Sequence, residues 1–482
     1  MNFYRILVLL LFSTVMDNGL KAQEVVISAG EELQQTAPFL FNDVVGTHGD
    51  RCYVFNWGWE KFQIEAFNIK TLKREILTDV KVPFKHPPVS VSYYSEKDQT
   101  AYLLFYRGTM TFLEVCYNKK NGTMDLTGQL YDSNCQAVGV PSVLCTASIP
   151  DDGEYPKFTI FQSADSTGFN VIKRESDNSH QWLYYDIKMN KLNEKKIPLD
   201  VSIKWLSEIN NIFVDNKGDV LLLSRELLPE LQWTDKKTRK FTYSVFKFNT
   251  QKGESSQAVL KFDREINYNN FTVTLSKGKL HLFAFGFDKV SKKSNMIHEI
   301  FDTEKMSASI VTDTDLGVLG KIGELPRSKP QIIDLHFQPD GSFFLLGKEY
   351  LESMEQRHDY KLFCIYISES GKHLWKKEIV VSRNNLHMFQ IDNYYSSLCN
   401  GNLVVMYNEQ SPEGLGGANY LHMKVLKIDV SGNVLEKNTS VYRDKNEPIM
   451  YPGSFYSLDC NTWVGVAGTT RERYGIRKIV MK

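Results

Sequence analysis

Short apolar runs recur along the chain at intervals of about 60 residues, each entered by a polar turn. The copies are Gly49–Phe55, Gln99–Phe105, Lys157–Phe161, Gly218–Leu223, Gly278–Phe283, Gly341–Leu346, Gly401–Met406 and Asn461–Val466. An unbroken apolar run of this length, bounded by turn residues, predicts a strand buried on both faces. A second pattern places an aromatic residue or Ile before a turn, usually with Asn or Asp next. It occurs at Phe67-Asn68, Tyr117-Asn118, Tyr185-Asp186, Phe248-Asn249, Phe301-Asp302, Ile367-Ser368 and Ile428-Asp429. Gly122, Gly253, Gly371 and Gly432 follow several of these, supplying the positive φ of a tight reversal. Each copy ends one strand and opens another, as in His373–Val380.

The first pattern occurs eight times and the second seven. The eighth apolar run is followed by one more strand, Tyr474–Lys482, with no turn after it. Glu24–Ser28 supplies the missing partner, because completing the last sheet with a strand from the other terminus removes a free edge. The expectation is all-β: a single β-propeller of eight four-stranded blades over residues 23–482, with the eight apolar runs as its inner strands and the ring closed by the N-terminal strand. A seven-bladed ring is the alternative, with a divergent insertion across 98–157. The helical signal is confined to Ser224–Leu231, where a turn or two is expected in a loop.

One repeat reads Gln338-Pro339-Asp340-Gly341-Ser342-Phe343, then Leu362–Ile367, then Ser368-Glu369-Ser370-Gly371-Lys372-His373-Leu374-Trp375. This resembles the tandem propeller repeats of proteins exported by Bacteroidetes-type bacteria, in which a strand ends in Asp-x-x-Gly-x-x-x-Trp. Ser368 stands where Asp is usual, and Val425–Leu435 keeps Asp429 and Gly432 but lacks the Trp. The resemblance implies fold and export, and no activity.

Composition narrows the function. Phe (29) and Tyr (24) are abundant, as strand formers are in an all-β chain. The charges balance at 57 basic and 57 acidic, or 55 against 56 without residues 1–22, which argues against a nucleic-acid partner. The basic run Lys236–Lys240 reads as a solvated hairpin tip. Residues 1–22 read as a signal peptide: Arg5, the apolar run Ile6–Phe12 extended to Met16, and Leu20-Lys21-Ala22 at the cut. That run is too short for a transmembrane segment, so the expected location is the periplasm, the outer-membrane surface or the extracellular space. Seven Cys leave at least one thiol unpaired, and Cys135 with Cys145 or Cys399 with Cys460 are the candidate bridges.

Candidate chemistry is dispersed. Neither a phosphate-binding Gly loop nor a Gly-x-Ser-x-Gly elbow is present, and Ser411–Gly417 reads as a flexible hairpin. His48, His281, His336 and His387 lie near the apolar runs and are candidates to meet at the ring axis, although spacing points to no metal and no cofactor. The acidic groups Asp151, Asp152 and Glu154, and Asp313 with Asp315, read as strand-end turns. Trp57 and Trp59 are candidates to stack on a ligand. Arg107, Arg225 and Lys348 follow their apolar runs at similar positions and are candidates to converge on an anionic ligand. Without a compact catalytic motif, the reading is a monomeric binding or scaffold module at the cell envelope, with a protein or glycan ligand. A carbohydrate- or peptide-acting enzyme, assembled from several blades, is the alternative.

Overall fold

The computed structural model describes residues 25–481 apart from 35–38, 59–61, 81–100, 119, 150–156, 164–165, 176–178, 198–211, 216–217, 228–240, 261–270, 289–292, 316–330, 353–357, 382–393, 411–420, 442–448, 451 and 469–472. Eight antiparallel sheets form a ring, an eight-bladed β-propeller with almost no helix. Blades 1–7 are four-stranded meanders in chain order. Blade 1 is Phe39–His48, Arg51–Gly58, Phe62–Asn68 and Arg74–Asp79, and blade 2 is Ala101–Tyr106, Thr109–Asn118, Thr123–Tyr131 and Ala137–Ser148. Blades 3 to 7 begin at Lys157, Ile212, Phe271, Gln331 and Tyr394. Blade 8 takes Tyr456–Asp459, Thr462–Gly468 and Arg473–Met481 from the C-terminal end and Val25–Ala29 from the N-terminal end.

The closing strand is the one expected, beginning at Val25; Glu24 lies outside the described residues. It pairs antiparallel with the last strand from Val25↔Met481 to Ala29↔Arg477. The chain then crosses to blade 1. Gly30 N–H donates to the Ile476 carbonyl (2.9 Å), and a Cβ on Gly30 would sit 2.3 Å from the Leu72 carbonyl oxygen of blade 1. Glu31 accepts from the Arg74 backbone N–H (2.9 Å), while Glu32 pairs with Arg473 of blade 8 (3.2 Å). Beneath them the buried Glu65 carboxylate accepts from Arg74 Nη1 (2.8 Å) and from the Tyr474 hydroxyl across the blade 8–blade 1 seam. Burial, reinforced by that carboxylate, pushes the Tyr474 phenol far above its ordinary pKa, so it remains a donor.

The core lies between blades. The second strands carry runs of four dry residues at or next to their starts, as in Val220–Leu223, Phe343–Leu346 and Leu403–Met406. Successive side chains of a strand point to opposite faces, and here both faces meet a neighbouring blade, which is why the sequence runs apolar without alternation. Six of the eight apolar runs are second strands; in blades 2 and 3, Gln99–Phe105 and Lys157–Phe161 fall on first strands instead. The second strands there are Thr109–Asn118 and Gly168–Arg174, whose Thr111 and Asn170 interrupt the apolar pattern although both are buried. The blade 2 turn is displaced in the same way. Tyr117-Asn118 joins its second and third strands, and the equivalent of the other six turns is Tyr131-Asp132. The helical expectation fails over Ser224–Leu227, which continues a strand paired with Phe241–Ser244.

The turns between third and fourth strands share one device. A side-chain oxygen at the strand end accepts backbone N–H groups of the turn: Asn68 from Lys70 and Thr71, Asp132 from Asn134 and Gln136, Asp302 from Glu304 and Lys305, Asp429 from Ser431 and Asn433. The preceding blade then donates to a carbonyl of that turn. Tyr53 donates to Ser133 (2.9 Å), Thr111 to Ile187 (2.6 Å), Lys195 to Gln251 (2.9 Å), Lys247 to Thr303 (3.3 Å) and Trp375 to Val430 (2.7 Å). Trp375, the tryptophan of the repeat pattern, stacks on Tyr366 and covers Gly432 in the turn of blade 7.

The cysteines sort by the same layering. Cys135 lies in the core between blades 1 and 2, and Cys145 packs in the core between blades 2 and 3, so a bridge between them is ruled out by the sheet that separates them.

Two outcomes test this architecture. A chain lacking residues 1–29 should lose about 3–5 kcal/mol of unfolding free energy, from five ladder positions worth about 1 kcal/mol each; an unchanged denaturation midpoint would contradict closure by this strand. Gly432→Ala, at φ +82° with its Cβ 3.0 Å from the Trp375 ring, should be more destabilising than Gly253→Ala, at φ +77° with open space around it. Equal losses in the two variants would mean that Trp375 does not seal the turn.

Candidate functional site

The first strands form the inner edge of every blade, and neighbouring first strands approach one another around the axis. Among the described residues no further strand pairs with them, and they are largely half-buried, as in Thr272–Ser276, Ile332–Phe337 and Tyr394–Leu398. This axial wall is where solvent meets side chains that two blades hold in place.

At the seam of blades 6 and 7 the wall gathers three functional groups. A bulge between Ile332 and Asp334 resets the strand, and Asp334 and His336, two residues apart, share the face towards blade 7. There Ser396 donates its hydroxyl proton to Asp334 Oδ2. His336 Nε2 lies 2.8 Å from Ser396 Oγ and 3.1 Å from Asp334 Oδ2. Asp334 Oδ1 accepts the Leu335 backbone N–H (2.9 Å), and the Tyr394 hydroxyl takes the carbonyl of the bulged Ile333 (3.3 Å). Burial alone would raise the Asp334 pKa, but the hydrogen bonds and charge of His336, with those of Ser396 and Leu335, bring it below the usual carboxylate range. The carboxylate is therefore ionised, and the Asp334 side chain retains 37% exposure.

The connectivity limits the chemistry. In a Ser–His–Asp relay the imidazole stands between the other two, with a free Nε2 lone pair facing the hydroxyl. Here one carboxylate oxygen accepts from the serine and lies against the same imidazole nitrogen, so the serine proton is already committed to Asp334. The three groups instead hold the carboxylate of Asp334, the hydroxyl oxygen of Ser396 and the imidazole of His336 side by side, polar groups that a hydroxyl-bearing ligand can meet.

Among the described residues, those singled out from sequence occupy different parts of the blades. Trp57 is half-buried and packs against the core between blades 1 and 2, while Trp59 lies outside the described residues. Arg107 is in the turn between the first and second strands of blade 2, at φ +49° beside Gly108, and its guanidinium lies over the Tyr106 ring. Lys277-Gly278 and Asn400-Gly401 occupy the same turn in blades 5 and 7. Arg225 and Lys348 are instead each the sixth residue of the apolar stretch of a second strand, towards the opposite end of the blade. Arg107 follows a first strand, whereas Arg225 and Lys348 lie within second strands. Lys348 is also buried at 5% exposure between blades and does not project from a rim; the Arg225 side chain lies outside the described residues.

The candidate histidines separate as well. His48 is exposed near Gly108, His387 lies outside the described residues, and among the described residues no cluster of three potential metal ligands forms. His281 meets a partner that the repeat pattern did not single out. Its Nδ1 lies 3.3 Å from His298 Nε2, enclosed by Phe283, Phe337 and Phe343. Burial lowers their pKa values, to about 4 for His281 and about 3 for His298, with a smaller contribution from Lys279 at His281 and from His281 at His298. Both are neutral in the folded chain at pH 7.

No protein-family model and no curated protein matches the chain. Among solved structures it is similar to a europium-containing methanol dehydrogenase, at 10% identity and a TM-score of 0.42, covering 94% of this chain and 93% of that one. It is similar to the polysaccharide lyase Uly1, at 9% identity and a TM-score of 0.39, covering 94% and 99%. The β-propeller domain of the Trilobed protease from Pyrococcus furiosus gives 8% identity and a TM-score of 0.36, covering 80% and 94%. The fold assignment rests on the strand topology described above.

The histidine pair gives a signed prediction. An unfolded histidine titrates near 6.5, so below that pH the unfolded chain binds more protons than the folded one. The stability due to these two residues is complete above pH 6.5 and is lost as pH falls towards about 4 and about 3. Each should contribute a slope of about 1.4 kcal/mol per pH unit in that window, and His298→Phe should remove one such slope from denaturant unfolding measured between pH 7 and pH 5.

Proposed function

We propose that this protein is an exported binding module that holds a hydroxyl-rich ligand, such as a glycan, against the axial seam of blades 6 and 7. The observation that carries the reading is the Asp334–His336–Ser396 group. An ionised acceptor, an imidazole and a hydroxyl sit on half-exposed inner edges, fixed by contacts from two blades. Such pre-organisation favours binding, because the groups are already ordered before the ligand arrives. The leader at residues 1–22 supports delivery to the periplasm, the outer-membrane surface or the extracellular space. The alternative is a carbohydrate-acting enzyme, whose acid–base pair would combine Asp334 with a second carboxylate brought from another blade.

The test begins with a glycan and peptide array probed with residues 23–482. Asp334→Asn and Ser396→Ala should each weaken the selected glycan at least tenfold, the equivalent of one hydrogen bond to a charged group at about 1.5–3 kcal/mol. Both variants should still show a cooperative melt. A hit bound equally by wild type and both variants overturns the seam as the site. Turnover of a hit that stops in Asp334→Asn overturns the binding reading in favour of the enzyme.

A further inference from the structure

The turns between first and second strands form their own inner ring of contacts, distinct from the candidate ligand seam. Gln162 of blade 3 donates to the Phe105 carbonyl of blade 2 (3.1 Å). Lys277 of blade 5 donates to the Gln338 and Pro339 carbonyls of blade 6 (3.3 and 2.6 Å). Gln338 in turn donates to the Gly401 carbonyl of blade 7 (2.7 Å). At the next step, from blade 7 to blade 8, the donor is a thiol: Cys399 Sγ lies 2.8 Å from the Cys460 carbonyl oxygen. A thiol is a weak donor where amide and ammonium groups serve elsewhere, and here the accepting residue carries a thiol of its own.

From this juxtaposition we propose that Cys399 and Cys460 form a disulfide that staples blade 7 to blade 8, the blade that closes the ring. Both residues are held at the same turn. Cys399 ends a first strand, paired with Asn402 across Asn400-Gly401, and Cys460 lies between the paired Asp459 and Thr462. Cys399 is 1% exposed, whereas Cys460 is half-buried and open to a reagent. Burial, with Cys460 beside it, pushes the Cys399 thiol up to about 12, and the more exposed Cys460 is the one a reagent reaches first. The oxidant is a disulfide of a small thiol or of a dithiol protein. The Cys460 thiolate attacks it, forming a mixed disulfide and releasing one thiol. The Cys399 thiolate then attacks Cys460 Sγ, forming the Sγ–Sγ bond and releasing the second thiol. The two protons lost by the cysteines end on the two released thiols. The bridge joins residues 61 apart in sequence, a loop long enough for the cross-link to restrict the unfolded chain substantially. An oxidising compartment, as export provides, would maintain it.

Exposing the folded chain to oxidised glutathione, then denaturing, alkylating and weighing it, tests the proposal independently of ligand binding. Five of the seven cysteines should take alkyl groups, and digestion should give one cross-linked peptide joining Cys399 to Cys460. Seven alkylated cysteines, or a bridge between another pair, overturns it. In Cys460→Ser, six cysteines should be alkylated before and after oxidation. Adding reductant should lower the melting temperature of the bridged wild type by several degrees and leave that variant unmoved; an equal shift in both also overturns it.

Discussion

The pairing of Val25–Ala29 with Arg477–Met481 is the constraint on which the rest of the ring depends. A propeller blade cannot bury its second strand alone, because that strand is apolar on both faces and needs a neighbour on each side. Blades 1 and 8 obtain those neighbours only when the two ends of the chain meet. The seam is correspondingly reinforced: the ladder itself, the close approach of Gly30 to Leu72, the exposed pair Glu32–Arg473 and the buried Glu65–Arg74–Tyr474 group all lie along it. The exposed pair adds little, since solvent screens it. The buried group matters more, because removing Arg74 would leave the Glu65 carboxylate buried without its cation.

From closure follows a division between the two ends of each blade. One end carries the turns between first and second and between third and fourth strands, short and tied to a neighbouring blade by side-chain donors. The other end carries the second-to-third and fourth-to-first connections, where most of the chain length outside the strands is found. Tight turns that serve as hydrogen-bond acceptors for a neighbour are committed to architecture. The inner edges of the first strands are not: they have an unpaired side, and that is where Asp334, His336 and Ser396 meet.

That group also shows why polar residues near a propeller axis require connectivity before they imply catalysis. Three residue types familiar from hydrolases come within hydrogen-bond reach, yet the carboxylate takes the serine proton itself. By contrast, His281 and His298 meet in an aromatic enclosure that keeps both neutral. The same side chain thus stands in a polar group at a half-exposed edge and in a packed, dry layer elsewhere, and the difference is set by solvent access.

The chain's apolar runs and Asx-type turns determined the architecture: eight blades, six of the seven turns between third and fourth strands, and a terminal strand to complete the last sheet. These are legible because strand burial and turn geometry are local, acting through neighbours in sequence. Where polar residues enter the dry layer, as at Thr111 and Asn170, the pattern breaks and the strand count slips by one within blades 2 and 3. The site was not legible in this way. His336 stood out as a histidine, but Ser396 carries no signal, and they meet only because consecutive first strands converge on the axis. Arg107 and Lys348 show the converse, since similar spacing after an apolar run placed one in a turn and the other inside the wall. Spacing along a strand fixes which face a side chain takes; the ring decides whether that face meets solvent, a neighbouring blade or another functional group.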